Sequence, residues 1–368
     1  MSLYGIENLP YGVFSGDDGT RRIGVRLGSG VVDLSPLGGL FAASTLNPLL
    51  AAGPPAWAAA RAQATAVVAA GSSATPLDQV RLHLPFEVAD YTDFYSSEQH
   101  ALNAGRILRP QSPGLASSWR RLPIGYHGRS ATVVVSETPV ERPSGQLADG
   151  VFGASQRLDI EAEVGFVVGV PGRRVPTTGF ADHVFGVVLL NDWSARDIQA
   201  FEYRPLGPFL GKSFATSISP WVVPLEALAP IPAPPQDPSP HDYLLPPGPG
   251  FDLRLTVDWN DTRVSSPPFA GMYWTAAQQL AHLTSNGASV RTGDLYASGT
   301  VSGPGRDQVG SFLELTWNGA EPVKLADGTT RGFLLDGDRV TIGGTAIGAA
   351  GVEIGLGSVS GTIRPATG

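Results

Sequence analysis

Glycine and proline interrupt this chain so often that long helices have little room to form. They number 46 and 32 among 368 residues, without a collagen-like period, and both residues mark turns. Since 42% of the residues are hydrophobic and only 16% are charged, a folded core is expected. The stretches with strand-like composition are "ATVVVSETPV", "LDIEAEVGFVVGV", "HVFGVVLLND", "FDLRLTVDWN", "SFLELTWNG", "DRVTI" and "VEIGLG". The sequence therefore predicts a mainly β protein with many short strands joined by turns.

The length of the chain favours one small and one large domain. Near the start, Gly28–Gly30 predicts a hairpin turn between the strand-like stretches "RIGVRL" and "VVDLS". An alanine-rich segment over about 55–70 predicts a helix, and "GSSATPLDQV" at 71–80 is typical of a linker. We therefore expect a β-rich N-terminal domain over residues 1–83 and a C-terminal domain over residues 84–368.

Two helices are predicted in the C-terminal part. Ser96 or Ser97 can cap a helix that begins with "EQHALNA" and ends at Gly105. The stretch "TAAQQLAHLTSNG" predicts a second helix, capped by Thr275 and ended by Gly287.

Prolines are concentrated in residues 228–250, which contain "APIPAPPQDPSPHDYLLPPGPG". Strand-like sequence resumes directly after this segment. We therefore expect a long surface loop here and not a boundary between domains, and its role is left open.

Charge and cysteine content exclude several functional classes. A net charge of −8 makes general binding to nucleic-acid phosphates a poor prospect. The absence of cysteine excludes disulfides, thiolate metal ligands and cysteine nucleophiles. The first residues lack the basic and apolar regions of a signal peptide, and the longest apolar run is broken by Pro54, Pro55, Arg61 and Gln63. We expect a cytoplasmic protein that does not enter a membrane.

The stretch "LDIEAEVGFVVGV" places Asp159, Glu161 and Glu163 at alternate positions of a predicted strand, and therefore on one face. A solvent-facing edge is the ordinary explanation for such a row. However, the strand continues into the apolar run Val164–Val168, where converging carboxylates are costly unless a cation neutralises them. Oxygen ligands favour Ca²⁺ or Mg²⁺.

A second carboxylate ends the apolar stretch "HVFGVVLLND". After Asp192 follow Arg196, Gln199 and Tyr203, spaced about one helical turn apart, so one helix face can present all three. The alternative is an ordinary helix start with Asp192 as its cap.

The stretch "PLGPFLGKSFATS" invites comparison with a phosphate-binding loop but does not match it. Gly207 precedes Gly211 with three residues between them instead of four. The sequence that follows is β-branched and reaches Pro220, unlike the helix that a nucleotide site needs. Lys212 is either a fixed cation in a site or a solvated surface lysine.

His100 is the candidate general base, because an unperturbed imidazole titrates near neutrality. It shares the stretch "DYTDFYSSEQHALNAGRIL" with Asp90, Asp93 and Tyr95, and Arg109 follows directly. A hydrogen-bonded structural histidine is the alternative. Neither a G-x-S-x-G elbow nor an H-E-x-x-H helix is present, so serine-hydrolase and zinc-protease chemistry lack their sequence motifs.

The chain resembles the fumarylacetoacetate hydrolase family in its two-domain form, along nearly its whole length. The matching stretches, in family order, are "NLPYGVF", "DYTDFYSSEQHA", "LPIGYHGR", "LNDWSARDIQ", "EYRPLGPFLGKSF", "YWTAAQQL", "GDLYASGTVSGP" and "FLLDGDRV". The resemblance implies an SH3-like N-terminal barrel, a C-terminal domain of rolled β-sheets and a homodimer. It also implies an enzyme that hydrolyses fumarylacetoacetate to fumarate and acetoacetate, the last step of tyrosine and phenylalanine catabolism.

The resemblance also implies roles for individual residues. The implied metal ligands, for Ca²⁺ or Mg²⁺ or both, are Asp93, Glu161, Glu163 and Asp192. The implied members of a second cation subsite are Lys212 and Thr216. The implied base and its orienting carboxylate are His100 and Glu314. The implied oxyanion-stabilising residues are Arg196, Gln199 and Lys212. The implied substrate-binding residues are Tyr95, Arg109, Tyr203 and Thr300.

One position departs from this pattern, one acidic residue receives no role, and two other functions stay open. Ala215 stands where the family has glycine, beside Thr216 of the second subsite. Asp159 receives no role, so we expect it either toward the solvent end of its strand or in contact with a ligand residue. A related acylpyruvate or diketone hydrolase is the neighbouring alternative. A non-catalytic, Ca²⁺-stabilised β-protein that binds partners is the alternative from another class.

Overall fold

The computed structural model describes residues 2–367 and is dominated by strands, as the sequence predicts. The strands of the first half are β1 (Tyr11–Ser15), β2 (Arg22–Leu27), β3 (Gly30–Asp33), β4 (Thr75–Pro76), β5 (Arg81–His83), β6 (Tyr91–Phe94), β7 (Gly125–His127), β8 (Val133–Val135), β9 (Val140–Glu141), β10 (Ser144–Ala148), β11 (Val151–Ala154), β12 (Leu158–Asp159), β13 (Ala162–Val168) and β14 (Gly172–Arg173). The strands of the second half are β15 (Val184–Asp192), β16 (Ser194–Ala195), β17 (Thr216–Ile218), β18 (Trp221–Pro224), β19 (Pro230–Ile231), β20 (Gly250–Phe251), β21 (Leu253–Trp259), β22 (Thr262–Ser265), β23 (Ser289–Val290), β24 (Leu295–Ala297), β25 (Val323–Lys324), β26 (Thr330–Arg331), β27 (Arg339–Ile347) and β28 (Glu353–Arg364).

The helices are short, as the density of glycine and proline predicts. They are α1 (Asn47–Ala51), α2 (Pro54–Ala69), α3 (Glu98–Leu108), α4 (Phe180–His183), α5 (Arg196–Glu202), α6 (Leu210–Ser213), α7 (Ala276–Thr284) and α8 (Phe312–Leu315). Among residues 2–367, no helix combines the length and apolar character needed to cross a membrane.

Two large sheets organise the fold. A 13-stranded sheet has the order β4-β3-β2-β1-β18-β15-β13-β24-β6-β7, with β5 on β1, β17 on β15 and β8 on β17. A five-stranded sheet has the order β22-β21-β27-β28-β9. Strand β13 lies centrally in the larger sheet, antiparallel to both β15 and β24, which brings the acidic strand of the sequence to the middle of the molecule.

Alternate residues of β13 enter two different hydrophobic cores. Val164 and Phe166 pack in the larger core with β21, β27 and β28, whereas Val167 packs in the core that includes β1–β3, α1 and α2. Glu163 lies on the Val167 side by strand alternation, and it is fully buried. The acidic stretch is therefore not a solvent-facing edge.

Several local predictions are confirmed. Strands β2 and β3 form the antiparallel hairpin around Gly28–Gly30, and α2 forms in the alanine-rich segment. Thr275 caps α7 with a reciprocal capping box to Gln278, the arrangement expected for Thr followed three residues later by Gln. Strands β19 and β20 pair across the base of the proline-rich segment.

One strand prediction is wrong: "SFLELTWNG" contains helix α8 instead. Its apolar alternation is typical of a strand, but the Ser311 side chain caps a helical turn by accepting a hydrogen bond from the Glu314 amide. A local side-chain cap thus overrides the alternating pattern.

Helix α3 also differs from its prediction at the C-terminal end. Ser97 is the cap, accepting from the His100 amide, but the helix continues through Gly105 to Leu108. A Cβ on Gly105 would lie 2.9 Å from the Gly114 carbonyl oxygen. Glycine serves here for close packing and does not end the helix. The predicted linker at 71–80 likewise contains β4 and a single 3₁₀ turn.

The N-terminal strands join the large sheet directly, because β1 pairs with β18. A closed SH3-like barrel and a domain boundary after residue 83 stay predictions.

Candidate active site

Four carboxylates converge from β15, β13 and β6 of the large sheet, in which β24 lies between β13 and β6. Asp93 lies on β6, Glu163 on β13 and Asp192 at the end of β15, while Glu161 directly precedes β13. Each offers an oxygen, and these oxygens all lie within 4.8 Å of one another. All four side chains are buried. The sheet therefore brings together the four residues predicted as metal ligands, and Asp192 is part of a strand instead of a helix cap.

The surrounding charges shift the pKa of Glu161 in the opposite direction from those of Asp93 and Glu163. Burial raises the pKa of Asp93 and of Glu163 well above the ordinary values, and neighbouring carboxylates raise them further. Burial has the same effect on Glu161, but the Lys212 ammonium and the Arg196 guanidinium outweigh it and lower its pKa. Glu161 is thus held ionised by fixed cations, whereas no cationic side chain within residues 2–367 forms an ion pair with Asp93 or Glu163.

The cluster fits a divalent cation. Asp93 Oδ1 and Glu163 Oε1 are buried and have no hydrogen-bond partner within residues 2–367, which is costly for polar atoms unless something else satisfies them. The donor set consists of hard oxygens, the ligands of Ca²⁺ and Mg²⁺. The cluster therefore has the chemistry and the unsatisfied ligand atoms that such a cation requires.

Lys212 is a buried cation and not a surface lysine. Its Nζ donates to Glu161 Oε2 and Asp192 Oδ2, both at 2.6 Å. Its helix α6 packs closely on α5, since a Cβ on Gly211 would lie 2.8 Å from the backbone nitrogen of Gln199. Thr216 Oγ1 lies 3.4 Å from Asp192 Oδ1. Membership of Lys212 and Thr216 in a second cation subsite stays a prediction.

His100 forms a buried pair with Glu314. His100 Nδ1 lies 2.6 Å from Glu314 Oε2. Burial alone would raise the pKa of Glu314, but His100 and the hydrogen bonds from Asn103 and Ser311 lower it below its ordinary value. Because an ionised carboxylate only accepts hydrogen bonds, Nδ1 carries the proton and Nε2 of the neutral ring keeps its lone pair. The ring lines the cavity described below, as a general base requires.

Glu314 is held by residues that sequence reasoning missed. Asn103 Nδ2 donates to Oε1 at 3.0 Å, and the hydroxyls of Ser302 and Ser311 donate to Oε2 at 3.0 and 2.8 Å. Asn103 lies one helical turn after His100 on α3, so its spacing in the sequence was a usable signal.

Arg196, the first residue of α5 and a predicted oxyanion-stabilising residue, contacts three site or neighbouring residues through its guanidinium. Its Nη1 donates to Gln199 Oε1 at 3.1 Å, its Nη2 lies 2.8 Å from Glu161 Oε1, and its Nε donates to Asp159 Oδ2 at 2.8 Å. The expectation that Asp159 lies toward solvent is wrong, because the stretch breaks into β12 and β13 and turns Asp159 into the protein. The alternative, contact with a ligand residue, is met only indirectly, because Asp159 contacts Arg196, which in turn lies against Glu161.

A cavity of about 520 Å³ gathers most of these groups, within the rough range of 300–1,000 Å³ typical of small-molecule sites. The predicted site residues that line it are Asp93, Tyr95, His100, Arg109, Glu161, Arg196, Gln199, Tyr203, Lys212 and Thr300. Glu163, Asp192, Thr216 and Glu314 are not in its lining.

Two hydroxyls in the lining stand out. Thr300 Oγ1 is buried without a hydrogen-bond partner in the described part of the chain, so it is free to meet a bound molecule. Tyr126 was missed at the sequence level, although it lies in the matched stretch "LPIGYHGR"; its hydroxyl donates to Asp192 Oδ2 at 2.8 Å. A larger groove of about 910 Å³ lies between β5 and β8 and includes none of the predicted site residues in its lining.

Comparisons with known proteins match nearly the whole chain to one family. A family model described as fumarylacetoacetase N-terminal matches residues 7–85, and one described as fumarylacetoacetate hydrolase C-terminal matches residues 90–359. The fumarylacetoacetases of rat and human are each 44% identical over 408 aligned residues, covering 99% of this chain and 97% of theirs. The structure of maleylpyruvate hydrolase from Sphingobium, in complex with manganese(II) and pyruvate, aligns with a TM-score of 0.59 at 17% identity, covering 98% of this chain and all of that one.

Proposed function

The chain belongs to the fumarylacetoacetase family, and we propose that it hydrolyses fumarylacetoacetate to fumarate and acetoacetate. It is a hydrolase acting on a carbon–carbon bond of a diketone. The observation that carries the proposal is one cavity lined both by His100, which pairs with Glu314, and by Asp93 and Glu161 of the four-carboxylate cluster. Within a cell this reaction would complete tyrosine and phenylalanine breakdown.

The reaction consumes one water and breaks one carbon–carbon bond. Water adds to the carbonyl carbon on the fumaryl side, and the bond from that carbon to the methylene between the two ketones then breaks. The first carbon leaves as the new carboxylate of fumarate. The methylene leaves with the bonding electron pair as an enolate and takes a proton to become the methyl group of acetoacetate.

His100 supplies the proton transfer. Its Nε2 accepts a proton from the attacking water, and Glu314 stabilises the imidazolium that results, as a carboxylate does in a serine-protease triad. The pair is buried, so water does not screen this interaction. The same imidazolium can return the proton to the leaving carbon.

Arg196, Gln199 and Lys212 face the negative charge that develops on the attacked oxygen. Such donors act best when they are fixed before the reaction, and one can be worth about 3–4 kcal/mol. Arg196 and Lys212 are already held by buried carboxylates, which supports this role.

The carboxylates at the ends of the substrate need hydrogen-bond donors, either a positively charged side chain or a hydroxyl group. We assign this role to Arg109, Tyr95 and Tyr203, which line the cavity with the unpaired hydroxyl of Thr300. Charge-assisted hydrogen bonds to one such carboxylate would orient the chain of the substrate across His100.

We propose that Asp93, Glu161, Glu163 and Asp192 hold Ca²⁺ or Mg²⁺, and that Lys212 and Thr216 contribute to a second cation subsite. When bound, a divalent cation acts as a Lewis acid toward the diketone oxygens and the enolate charge. The buried, unsatisfied oxygens of Asp93 and Glu163 support the first site. A homodimer and a cytoplasmic location stay predictions.

The test compares purified protein on fumarylacetoacetate and on acylpyruvates, before and after thorough chelation. We expect faster turnover of fumarylacetoacetate, equimolar fumarate and acetoacetate, and loss of activity on chelation that added Ca²⁺ or Mg²⁺ reverses. Turnover of acylpyruvates alone would support the neighbouring hydrolase instead. Metal binding with no turnover of either substrate class would support a non-catalytic protein. Full activity after chelation would remove the proposed role of the metal.

A further inference from the structure

Asp159 is a buried carboxylate outside the four-residue cluster, and four hydrogen bonds saturate it. It is fully buried. Its Oδ1 accepts from the amides of Ile160 and Phe312, both at 2.7 Å. Its Oδ2 accepts from the Leu313 amide at 3.0 Å and from Arg196 Nε at 2.8 Å. Every partner is a donor, so the site is built for an ionised carboxylate.

Two of these bonds hold the turn that carries Glu314. Helix α8 has only four residues, and a helix this short gains little from its own hydrogen bonds. The amides of Phe312 and Leu313, at its N-terminus, have no partners within the helix, and Asp159 accepts from both. Asp159 therefore fixes the backbone from which Glu314 reaches His100.

A third bond holds Arg196 in the orientation that the site uses. Because Asp159 takes Nε, the two terminal nitrogens are left for Gln199 and Glu161. The pairing of β12 with β16 places Asp159 opposite Ser194, two residues before Arg196. The guanidinium is therefore held by a carboxylate that does not itself line the cavity.

We propose that Asp159 is a positioning residue that holds the His100–Glu314 pair and the Arg196–Gln199 pair in one fixed arrangement. This inference rests on the proposed function. The carboxylate connects the group that moves the proton with the group that receives the developing negative charge. Since Asp159 does not line the substrate cavity, its loss acts on the rate of the chemical step and leaves substrate binding nearly unchanged.

The test replaces Asp159 with asparagine. Each oxygen of the Asp159 carboxylate accepts from one backbone amide of α8. The NH₂ group of asparagine therefore faces a backbone N–H in either orientation of the side chain, and two donors cannot form a hydrogen bond. We expect kcat to fall about 100-fold, the scale of a small misplacement of reacting groups, with KM within about threefold of wild type. The split between kcat and KM separates positioning from substrate binding.

Asp338→Asn is the matched control. Asp338 is 2% exposed and also accepts several hydrogen bonds, from Trp259 Nε1 at 3.1 Å, Asn260 Nδ2 at 2.8 Å and Arg331 Nε at 3.1 Å. It does not line the cavity. We expect it to lower Tm as Asp159→Asn does, yet to leave kcat and KM per folded molecule nearly unchanged.

A spectroscopic readout makes the test independent of turnover. The proton between His100 and Glu314 should give a downfield resonance, recognisable because His100→Ala lacks it. We expect this resonance to shift or vanish in Asp159→Asn and to persist in Asp338→Asn. If the wild type fails to cleave fumarylacetoacetate, the proposed function falls, while this resonance still decides the role of Asp159.

A double-mutant cycle with Glu314→Gln tests whether Asp159 and Glu314 act on kcat together. Coupled residues give a combined loss of kcat smaller than the product of the single losses, whereas independent effects multiply. Should Asp159→Asn not fold, Asp159→Ser takes its place, since serine puts no amide against the donors. A kcat within about threefold of wild type, an unchanged resonance, or losses that multiply would each overturn the proposal.

Discussion

At the scale of single residues, the site assigns different tasks to chemically similar groups through their neighbours. Glu161 is ionised because Lys212 and Arg196 lie against it, whereas burial and like charge raise the pKa of Asp93. Glu314 is also buried, but its hydrogen-bond donors keep its pKa low. In the proposed mechanism one carboxylate therefore orients the base while the others would hold a cation, a division that residue type alone does not reveal.

Replacing His100 by alanine tests the base directly. We expect kcat to fall about 10²- to 10⁴-fold, the usual contribution of a general base, while calcium or magnesium binding measured by calorimetry stays near wild type. His241→Ala is the control, because His241 is exposed and outside the cavity lining. A His100→Ala enzyme with the wild-type rate would show that another group activates water.

Replacing Thr300 by valine tests substrate binding. Because the hydroxyl has no partner in residues 2–367, its removal should leave Tm unchanged or slightly higher. If it binds substrate, KM should rise about 5- to 150-fold, corresponding to roughly 1–3 kcal/mol for a lost hydrogen bond.

Thr316→Val provides the comparison, since the Thr316 hydroxyl donates to the carbonyls of Phe312 and Gly332. This variant should lower Tm and leave KM in place. Equal KM values for Thr300→Val and the wild type would remove Thr300 from the substrate site.

At the scale of elements, the sequence predicts most of the strands and helices that position the site. The apolar runs of β13 and β15 and the Ser97 cap of α3 follow from period and capping rules. Asp159 does not, because its partners on α8 are about 150 residues away and its strand breaks in two. The stretch "FLEL", whose own pattern indicates a strand, is held as a helical turn by the local Ser311 cap together with these distant contacts to Asp159. Pairings between remote segments carry no local signal.

The cap of α3 links stability to the site. Ser97 accepts from the His100 amide and donates to the Ser302 carbonyl. Ser97→Ala should therefore lower the free energy of unfolding by about 1 kcal/mol, and it should also lower kcat because His100 and Ser302 lose a shared support.

Thr275→Ala is the matched control, because Thr275 caps α7 in the same way, and helix α7 contains no proposed catalytic residue. Denaturant unfolding should give a similar loss of stability for both variants, and only Ser97→Ala should lower kcat. An equal loss of kcat in the two would show that the cap acts through stability alone.

At the scale of the whole molecule, a cation bound between three strands should stabilise the fold in a pH-dependent way. Burial raises the folded-state pKa of Asp93 and Glu163 above their ordinary values of 3.8 and 4.5. The metal-free fold then binds more protons than the unfolded chain, so its stability falls as pH rises above those values. A cation removes that penalty but competes with protons at low pH.

We therefore expect the difference in Tm between metal-loaded and chelated protein to be larger at pH 8 than at pH 5. Glu163→Gln should reduce this difference at pH 8, because it removes one ligand. A difference that shrinks as pH rises would contradict a site formed by these carboxylates.

Hydrolysis at the fumaryl-side carbonyl can be followed by isotope labelling, because the oxygen of the attacking water ends in one product only. Fumarylacetoacetate is incubated briefly with the metal-loaded enzyme in water enriched in ¹⁸O, and the products are analysed by mass spectrometry. We expect equimolar fumarate and acetoacetate, with one ¹⁸O in a carboxylate of fumarate and none in the carboxylate of acetoacetate. Malonate and acetylacrylate, the products of attack at the other ketone, or no cleavage at all, would contradict it.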